Sequence, residues 1–356
     1  QLRNAVLFEA FDGKVVGDSP LDIFNALKVA RPDLEFFWTV KPGVVAPAGS
    51  TALKYGSREW LKVLATAKYL VNNSAFPWYF KKVSGQIYLQ TWHGTPLKRL
   101  VRDIEAGKVS AQYLSTMRKE AGAWDYLISP SAYATKCFAS AFGFPIKGGK
   151  GKVLEVGYPR NDRLSASADV RVEIRNRVRK QLGVKPQTQL VLYAPTWRDS
   201  KRTMSGAWAG VNFFDASLPA GFRLMFRGHN NTKSAHKSAL AGGAIDVTNY
   251  PDVTDLFLAA DVLVTDYSSV MFDFSVTGKP MAFLVPDLAE YEANRGFYFD
   301  FRAEAPGPLF SSASELVAAL GNLGDYSAKY SAWQKKFNPH EDGKSAVRVV
   351  NSVWGA

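Results

Sequence analysis

The chain has 356 residues, longer than one hydrophobic core usually serves, so two domains of ordinary size are expected. Its 47% hydrophobic content, with nine Trp, fifteen Tyr and twenty-three Phe, excludes a disordered chain. The net charge of +12, from 44 Lys and Arg against 32 Asp and Glu, favours an anionic partner: nucleic acid, an acidic membrane surface or a phosphate-rich substrate.

Cys137 is the single cysteine, which excludes an internal disulfide and a Cys-based zinc site and fits a reducing compartment. No apolar run reaches the roughly 18 to 20 residues needed to cross a bilayer. The N-terminus carries no signal-peptide pattern, so membrane contact is expected to be peripheral and the cytosol is the default compartment. The first residue is Gln1 rather than Met, as in a piece of a longer protein.

In chain order, short runs rich in β-branched and aromatic residues alternate with longer helical patterns, the signature of parallel sheets covered by helices. Strands are predicted over Ala5–Phe8, Glu35–Val40, Tyr69–Asn72, Ile87–Leu89 and Tyr126–Ser129, with helices such as Asp18–Ala30 and Arg58–Thr66 between them. Residues 157–169, beginning Gly-Tyr-Pro-Arg-Asn-Asp, break the apolar pattern before a charged helix over Val170–Leu182 and read as a junction. Beyond it, strands are predicted over Leu190–Tyr193, Arg223–Phe226, Ala244–Val247, Val262–Thr265 and Met281–Leu284. The expectation is an α/β protein of two doubly wound Rossmann-like domains, residues 1–160 and 161–356, with an interdomain cleft and the last helix packing back on the first domain. In transferases this arrangement is called GT-B, and function must come from the site.

Polar residues gather at the ends of four of these strands. The run Tyr88-Leu-Gln-Thr-Trp-His-Gly-Thr-Pro carries His93 and Gly94 to a strand tip, where Thr95 and Pro96 are expected to open a helix as N-cap and first-turn residue. Ligands bind at that end of open α/β sheets, and helix N-termini attract anions; the plainer reading is a buried histidine bonded for packing. Ala-Pro-Thr-Trp-Arg-Asp puts Thr196 and Arg198 at a second strand end, and Arg forms bidentate bonds with phosphate. Arg227 and His229 end a third strand. Thr-Asp-Tyr-Ser-Ser ends a fourth, with Asp266 in the turn and Ser268 and Ser269 opening a helix whose amides suit a diphosphate; simple capping would explain one of the two serines. Asp266 and Asp273 lack a convincing metal-ligand set, and no Gly-rich phosphate loop is present.

The remaining candidates read as structural. His236 and His340 lie in polar stretches away from strand ends, and Cys137 has helical apolar neighbours. Phe76-Pro-Trp-Tyr-Phe80, followed by Lys81 and Lys82, reads as packing or as a seat for an acyl chain or headgroup. Basic residues cluster between Lys81 and Lys119 and again from Arg171 to Lys180, which fits either solvated helix faces or a lipid or polyanion surface.

Taken together, His-Gly-Thr-Pro at 93–96, Ala-Pro-Thr-Trp-Arg-Asp at 194–199, Arg-Gly-His at 227–229 and Thr-Asp-Tyr-Ser-Ser at 265–269 resemble the CDP-glycerol glycerophosphotransferase family of wall teichoic acid and capsule synthesis. The likeness runs from Phe8-Glu-Ala-Phe-Asp-Gly-Lys14 to Asp342-Gly-Lys-Ser345; Gly228 departs from the Pro expected in many relatives. The resemblance implies transfer of a polyol phosphate, glycerol phosphate first, from a CDP-activated donor to a hydroxyl of a teichoic acid or capsule-type acceptor, releasing CMP. It maps the two functional histidines onto His93 and His229, with His93 as general base and His229 on the phosphate oxygens, roles that are exchangeable. Thr196, Arg198, Arg227, Asp266, Ser268 and Ser269 are assigned to the donor, and Gly94 and Thr95 to the acceptor side. The implied partners are a CDP-polyol, a lipid-linked or polymeric polyol-phosphate or saccharide acceptor, and an anionic membrane surface on the inner face of the cell membrane. No nucleic acid, cofactor or strict metal requirement is expected. Two rivals are a GT-B glycosyltransferase using a nucleotide sugar and a polyanion or nucleic-acid binding protein; against the latter, no zinc-finger or RNA-recognition signature appears.

Overall fold

The computed structural model describes residues 1–146, 148–196, 217–228 and 243–355. It divides into two units, Gln1–Arg163 with Lys336–Ala356, and Leu164–Lys335.

The first unit is built on seven parallel strands: β1 (Arg3–Glu9), β2 (Glu35–Val40), β3 (Thr51–Lys54), β4 (Ala67–Asn72), β5 (Ile87–Gln90), β6 (Tyr126–Ser129) and β7 (Lys152–Glu155). Their order is β3-β2-β1-β4-β5-β6-β7, so the direction of winding reverses between β1 and β4. Successive side chains alternate faces. Ala5 and Leu7 pack one way with Trp60, Val63, Phe138 and Phe142. Val6 and Phe8 pack the other way with Ile23, Phe24 and Leu27. Because both faces are covered, the central strands are continuous apolar runs.

The helix Ser345–Trp354 belongs to this unit, burying Val349, Val350, Val353 and Trp354 in the same core as Phe24, Tyr69 and Tyr158. Asp162 holds its first turn by accepting the amides of Ser345 (2.9 Å) and Ala346 (2.8 Å). Glu341 accepts the Tyr158 amide at 3.0 Å, and Arg348 reaches the carbonyls of Val156 and His340. Gly157, at φ +87°, lies so close to the His340 carbonyl and the Ser345 hydroxyl that a Cβ would collide with both. The stretch read as a junction is therefore also the clasp for the last helix.

The second unit carries β8 (Gln189–Tyr193), β9 (Phe222–Phe226), β10 (Ile245–Asp246), β11 (Val262–Thr265), β12 (Met281–Leu284) and β13 (Leu309–Phe310), parallel and ordered β10-β9-β8-β11-β12-β13. Winding reverses between β8 and β11. Val191, Leu224, Val264 and Leu284 pack there with Leu316 and Leu320. The basic helix Ala168–Gln181 lies against the helix Val253–Ala259 rather than presenting a free cationic face. Arg175 and Arg179 pair with Asp261 at 2.8 and 2.5 Å, and Arg177 pairs with Asp255 at 2.9 Å. Three of the arginines of this second basic cluster are thus paired with carboxylates of the same unit.

Candidate active site

In the first unit, β5 ends at Gln90 and delivers His93 beside the ends of β1 and β4. The imidazole stacks on Trp92, with centroids 4.4 Å apart, and tilts against Phe11 at 5.7 Å. Its Nδ1 lies 2.6 Å from the Asn73 carbonyl, just beyond β4. A carbonyl can only accept, so Nδ1 carries the hydrogen and the lone pair of the neutral ring sits on Nε2. Burial holds His93 below the ordinary imidazole range; the Asn73 carbonyl and the Asp18 charge act the other way, and Arg160 adds to the depression.

The backbone around this ring is strained. Of the five non-glycine residues with positive φ among the described residues, four are Phe11 (+46°), Asp12 (+57°), Asp18 (+58°) and Trp92 (+53°). Phe11 and Trp92 touch the imidazole, and the charge of Asp18 reaches it. Such strain persists only where surrounding contacts enforce it. Here the Asn73 side chain accepts the Phe11 amide at 2.9 Å, so one residue fixes both the strained turn and the ring. The sequence pattern did not single out Asn73, Asp18 or Arg160; a Gly-Asp-Ser helix start and the polar run at 157–162 are the only traces they leave.

One expectation about this loop is corrected. Thr95 and Pro96 do not open a helix: the next regular elements are a 3-10 turn at Val101–Asp103 and the helix Ala111–Ala123. The Pro96 carbonyl, which a helix would use internally, instead accepts the Tyr133 hydroxyl at 2.6 Å. His93 keeps its strand-end position without a helix dipole beside it. Gly94 and Thr95 are buried.

In the second unit, Thr196 and Asp266 meet across the winding reversal. Asp266 accepts the amides of Thr196 (2.8 Å) and Tyr267 (2.6 Å), and the Thr265 hydroxyl donates to the Ala194 carbonyl at 2.7 Å. The Asp266 carboxylate thereby ties the end of β8 to the end of β11. Ser268 and Ser269 follow, half-buried, ahead of a helix of only five residues, Val270–Phe274; Ser268 Oγ accepts the Val270 amide at 3.5 Å. Arg227 ends β9, with Nη1 donating to the carbonyls of Val247 (3.1 Å) and Tyr250 (2.9 Å), and burial lowers its pKa against the pull of Asp252. Part of its guanidinium is thus spent on the loop after β10. Arg198, His229 and His236 lie outside the described residues.

The structural readings fare simply. Cys137 is buried on the helix Ala132–Phe142, and burial pushes its thiol up to about 11. His340 sits 3.4 Å from Glu155 at the surface. Phe76 and Phe80 are core residues, whereas Trp78 is 75% exposed. Among the described residues no group of three His, Cys, Asp or Glu side chains is arranged to hold a metal ion, and no helix is long and apolar enough to cross a membrane.

Two doubly wound parallel sheets, each with its polar side chains gathered at a winding reversal, define a GT-B-like protein. Its fold matches that of the UDP-GlcNAc 2-epimerase from Neisseria meningitidis, at a TM-score of 0.54 and 11% identity. The family model for CDP-glycerol:poly(glycerophosphate) glycerophosphotransferase matches residues 2–355, and the chain belongs to that family. It is 36% identical over 372 residues to the teichoic acid poly(glycerol phosphate) polymerase of Bacillus subtilis, covering 99% of this chain. It spans about half the length of that relative (49%) and of the Staphylococcus epidermidis polymerase (50%). A solved structure of the wall teichoic acid polymerase TagF superposes with a TM-score of 0.89 at 33% identity, covering 99% of this chain and 89% of that one.

Proposed function

We propose that the chain transfers glycerol phosphate from CDP-glycerol to a terminal hydroxyl of a poly(glycerol phosphate) acceptor, with the first unit on the acceptor side and the second unit holding the nucleotide. Family membership supports the reaction class. A TagF variant structure was obtained from a soak with CDPG, which favours the donor. The observation that carries the reading is the Nδ1 contact of His93 to the Asn73 carbonyl, which leaves Nε2 unprotonated and oriented at a strand end.

In the proposed step the acceptor oxygen forms the new bond to the phosphorus of the glycerol phosphate. The bond from that phosphorus to the CMP oxygen breaks, CMP leaves with the electron pair, and the acceptor proton passes to His93 Nε2. His229, Arg198 and Arg227 are assigned to the phosphate oxygens, Thr196, Ser268 and Ser269 to the diphosphate, and Asp266 to shaping that pocket through the Thr196 and Tyr267 amides. Gly94 and Thr95 shape the acceptor side. The depressed pKa of His93 sets the acid limb of the rate profile below the usual imidazole range.

The test is incubation with CDP-glycerol, CDP-ribitol and nucleotide sugars, scoring the nucleotide released. CMP from CDP-glycerol is expected; a nucleoside diphosphate from a nucleotide sugar would move the protein to the glycosyltransferases. His93→Ala and His229→Ala are each expected to leave a folded protein with turnover reduced by about a hundredfold or more. Near-normal CMP release from either variant removes that histidine from the mechanism.

A peripheral seat on the anionic inner face of the cell membrane goes with this reading. Exposed Trp78, with the exposed Tyr79 ring against it, adjoins Lys81 and Lys119 around a cavity of about 290 Å³ that also includes Phe76 and Phe80. Co-sedimentation with vesicles containing anionic lipid, weakened by salt, is the expected result; equal binding to neutral vesicles would count against it.

A further inference from the structure

We infer that Gln90 is a positioning residue for His93: its carboxamide ties the loop after β4 to the loop after β5 and so holds the ring in the tautomer that leaves Nε2 free to take a proton. The inference rests on His93 as the base, and Gln90 acts only through that ring.

Gln90 is the last residue of β5 and lies opposite Asn72, the last residue of β4, both of them fully buried. A buried carboxamide is costly unless its donor and its acceptor are both met. Gln90 meets them on two different loops. Its Oε1 accepts the Trp92 amide at 2.8 Å, and its Nε2 donates to the Ser74 carbonyl at 2.7 Å, with the Tyr88 hydroxyl further off at 3.5 Å. Trp92 and Ser74 are the chain neighbours of His93 and Asn73, the two residues that share the Nδ1 contact at 2.6 Å. One side chain therefore brackets that contact from both sides.

The peptide groups concerned explain how the ring is aimed. The Asn73 carbonyl and the Ser74 N–H belong to one planar trans peptide group, so they point in opposite directions. Asn72 Oδ1 accepts that N–H at 2.9 Å, and the His93 Nδ1–H meets the carbonyl at the far end. With Gln90 on the next carbonyl, the Ser74 backbone is held at both its N–H and its C=O, which sets the direction of the Asn73 oxygen. On the other loop, Trp92 sits at φ +53°, a conformation that an aromatic residue keeps only under constraint, and its ring stacks on the imidazole at 4.4 Å. Gln90 bonds to the amide of that same residue. A glutamine that served only to join two strands would bond to strand backbone. β4 and β5 are already paired from Tyr69 to Asn72, and both bonds to the loops lie beyond the last pair.

NMR of the whole chain, labelled with 15N in its four histidines, reads the tautomer directly, because a ring nitrogen that bears hydrogen and one that bears a lone pair resonate far apart. Comparison with His93→Gln assigns the ring. At about pH 8, where the imidazole is neutral, the parent is expected to carry its hydrogen on Nδ1. Gln90→Met, similar in length and lacking both bonds, should shift His93 to a mixture in which the Nε2–H form gains. It should also cut kcat for CMP release by about ten- to hundredfold while leaving the KM for CDP-glycerol within about twofold. Should Gln90→Met fail to fold, Gln90→Asn gives the check: it keeps the carboxamide, is a methylene too short to meet both loops, and should change tautomer and kcat in the same way. Val63→Ala, which opens a cavity in the core under the helix Arg58–Thr66, controls for lost stability and should keep the parent tautomer. A His93 ring that keeps the parent tautomer in a folded Gln90 variant, or that changes as much in Val63→Ala, overturns the inference. If the tautomer changes as expected and kcat does not, Gln90 positions the ring and His93 is not the base.

Discussion

Glu9 ends β1 in a fully buried position, with Asn72 Nδ2 donating to it at 3.4 Å and Thr39 and Trp60 beside it. Burial outweighs those hydrogen bonds, the Asp12 charge adds to it, and the carboxyl is pushed up to about 8. The folded state therefore keeps a proton that the unfolded chain releases near its ordinary value of 4.5. Stability is full below that value and declines as pH rises towards 8, at up to about 1.4 kcal/mol per pH unit. Glu9→Gln should remove the slope, so its advantage over the parent in urea unfolding should grow between roughly pH 5 and pH 8. A constant difference between the two proteins would mean that Glu9 ionises freely. His93 was legible because a histidine following an apolar strand has few structural uses. The groups that tune it were not: Asn73 acts through its backbone carbonyl, and Asp18 meets Arg160 across 142 residues of sequence.

The strands that the sequence pattern misses are all edges, and of those it marks only β10, expected over Ala244–Val247, is one. β2, β6, β11 and β12 agree with their expected bounds, whereas β3, β7 and β13 carry no signal. The reason is burial: β3, β7 and β13 are half-exposed or exposed over most of their length, so no continuous apolar run is needed there. Pairings that end helices were equally hidden. Lys279 Nζ donates to the carbonyls of Phe257 (3.0 Å), Leu258 (2.7 Å) and Ala260 (2.7 Å), satisfying the C-terminal end of the helix Val253–Ala259. Lys279→Met should destabilise the second unit by about 2–3 kcal/mol through three unmet carbonyls. An unfolding midpoint within error of the parent would assign those carbonyls to water.

At the scale of the whole molecule, alternating periodicity sufficed for two doubly wound sheets, through which the chain is threaded discontinuously. Leu164–Lys335 lies between the two pieces of the first unit, and the piece that returns carries Val349 and Trp354 into the core around Phe24. Val349→Asp puts an unpaired charge at a fully buried site and should cost the first unit more than about 3 kcal/mol. Near-UV dichroism during urea unfolding would register it; an unchanged transition would mean that the last helix is dispensable.

That threading fixes an order of events during synthesis. The whole inserted segment leaves the ribosome before the residues that close the first core exist, a delay on the order of ten to thirty seconds at ordinary translation rates. Through that interval the faces of Phe24, Tyr69 and Tyr158 that await the final helix have no lasting cover. The protein's exposure to aggregation and to chaperones is therefore set less by its final stability than by how promptly the ten residues Ser345–Trp354 arrive.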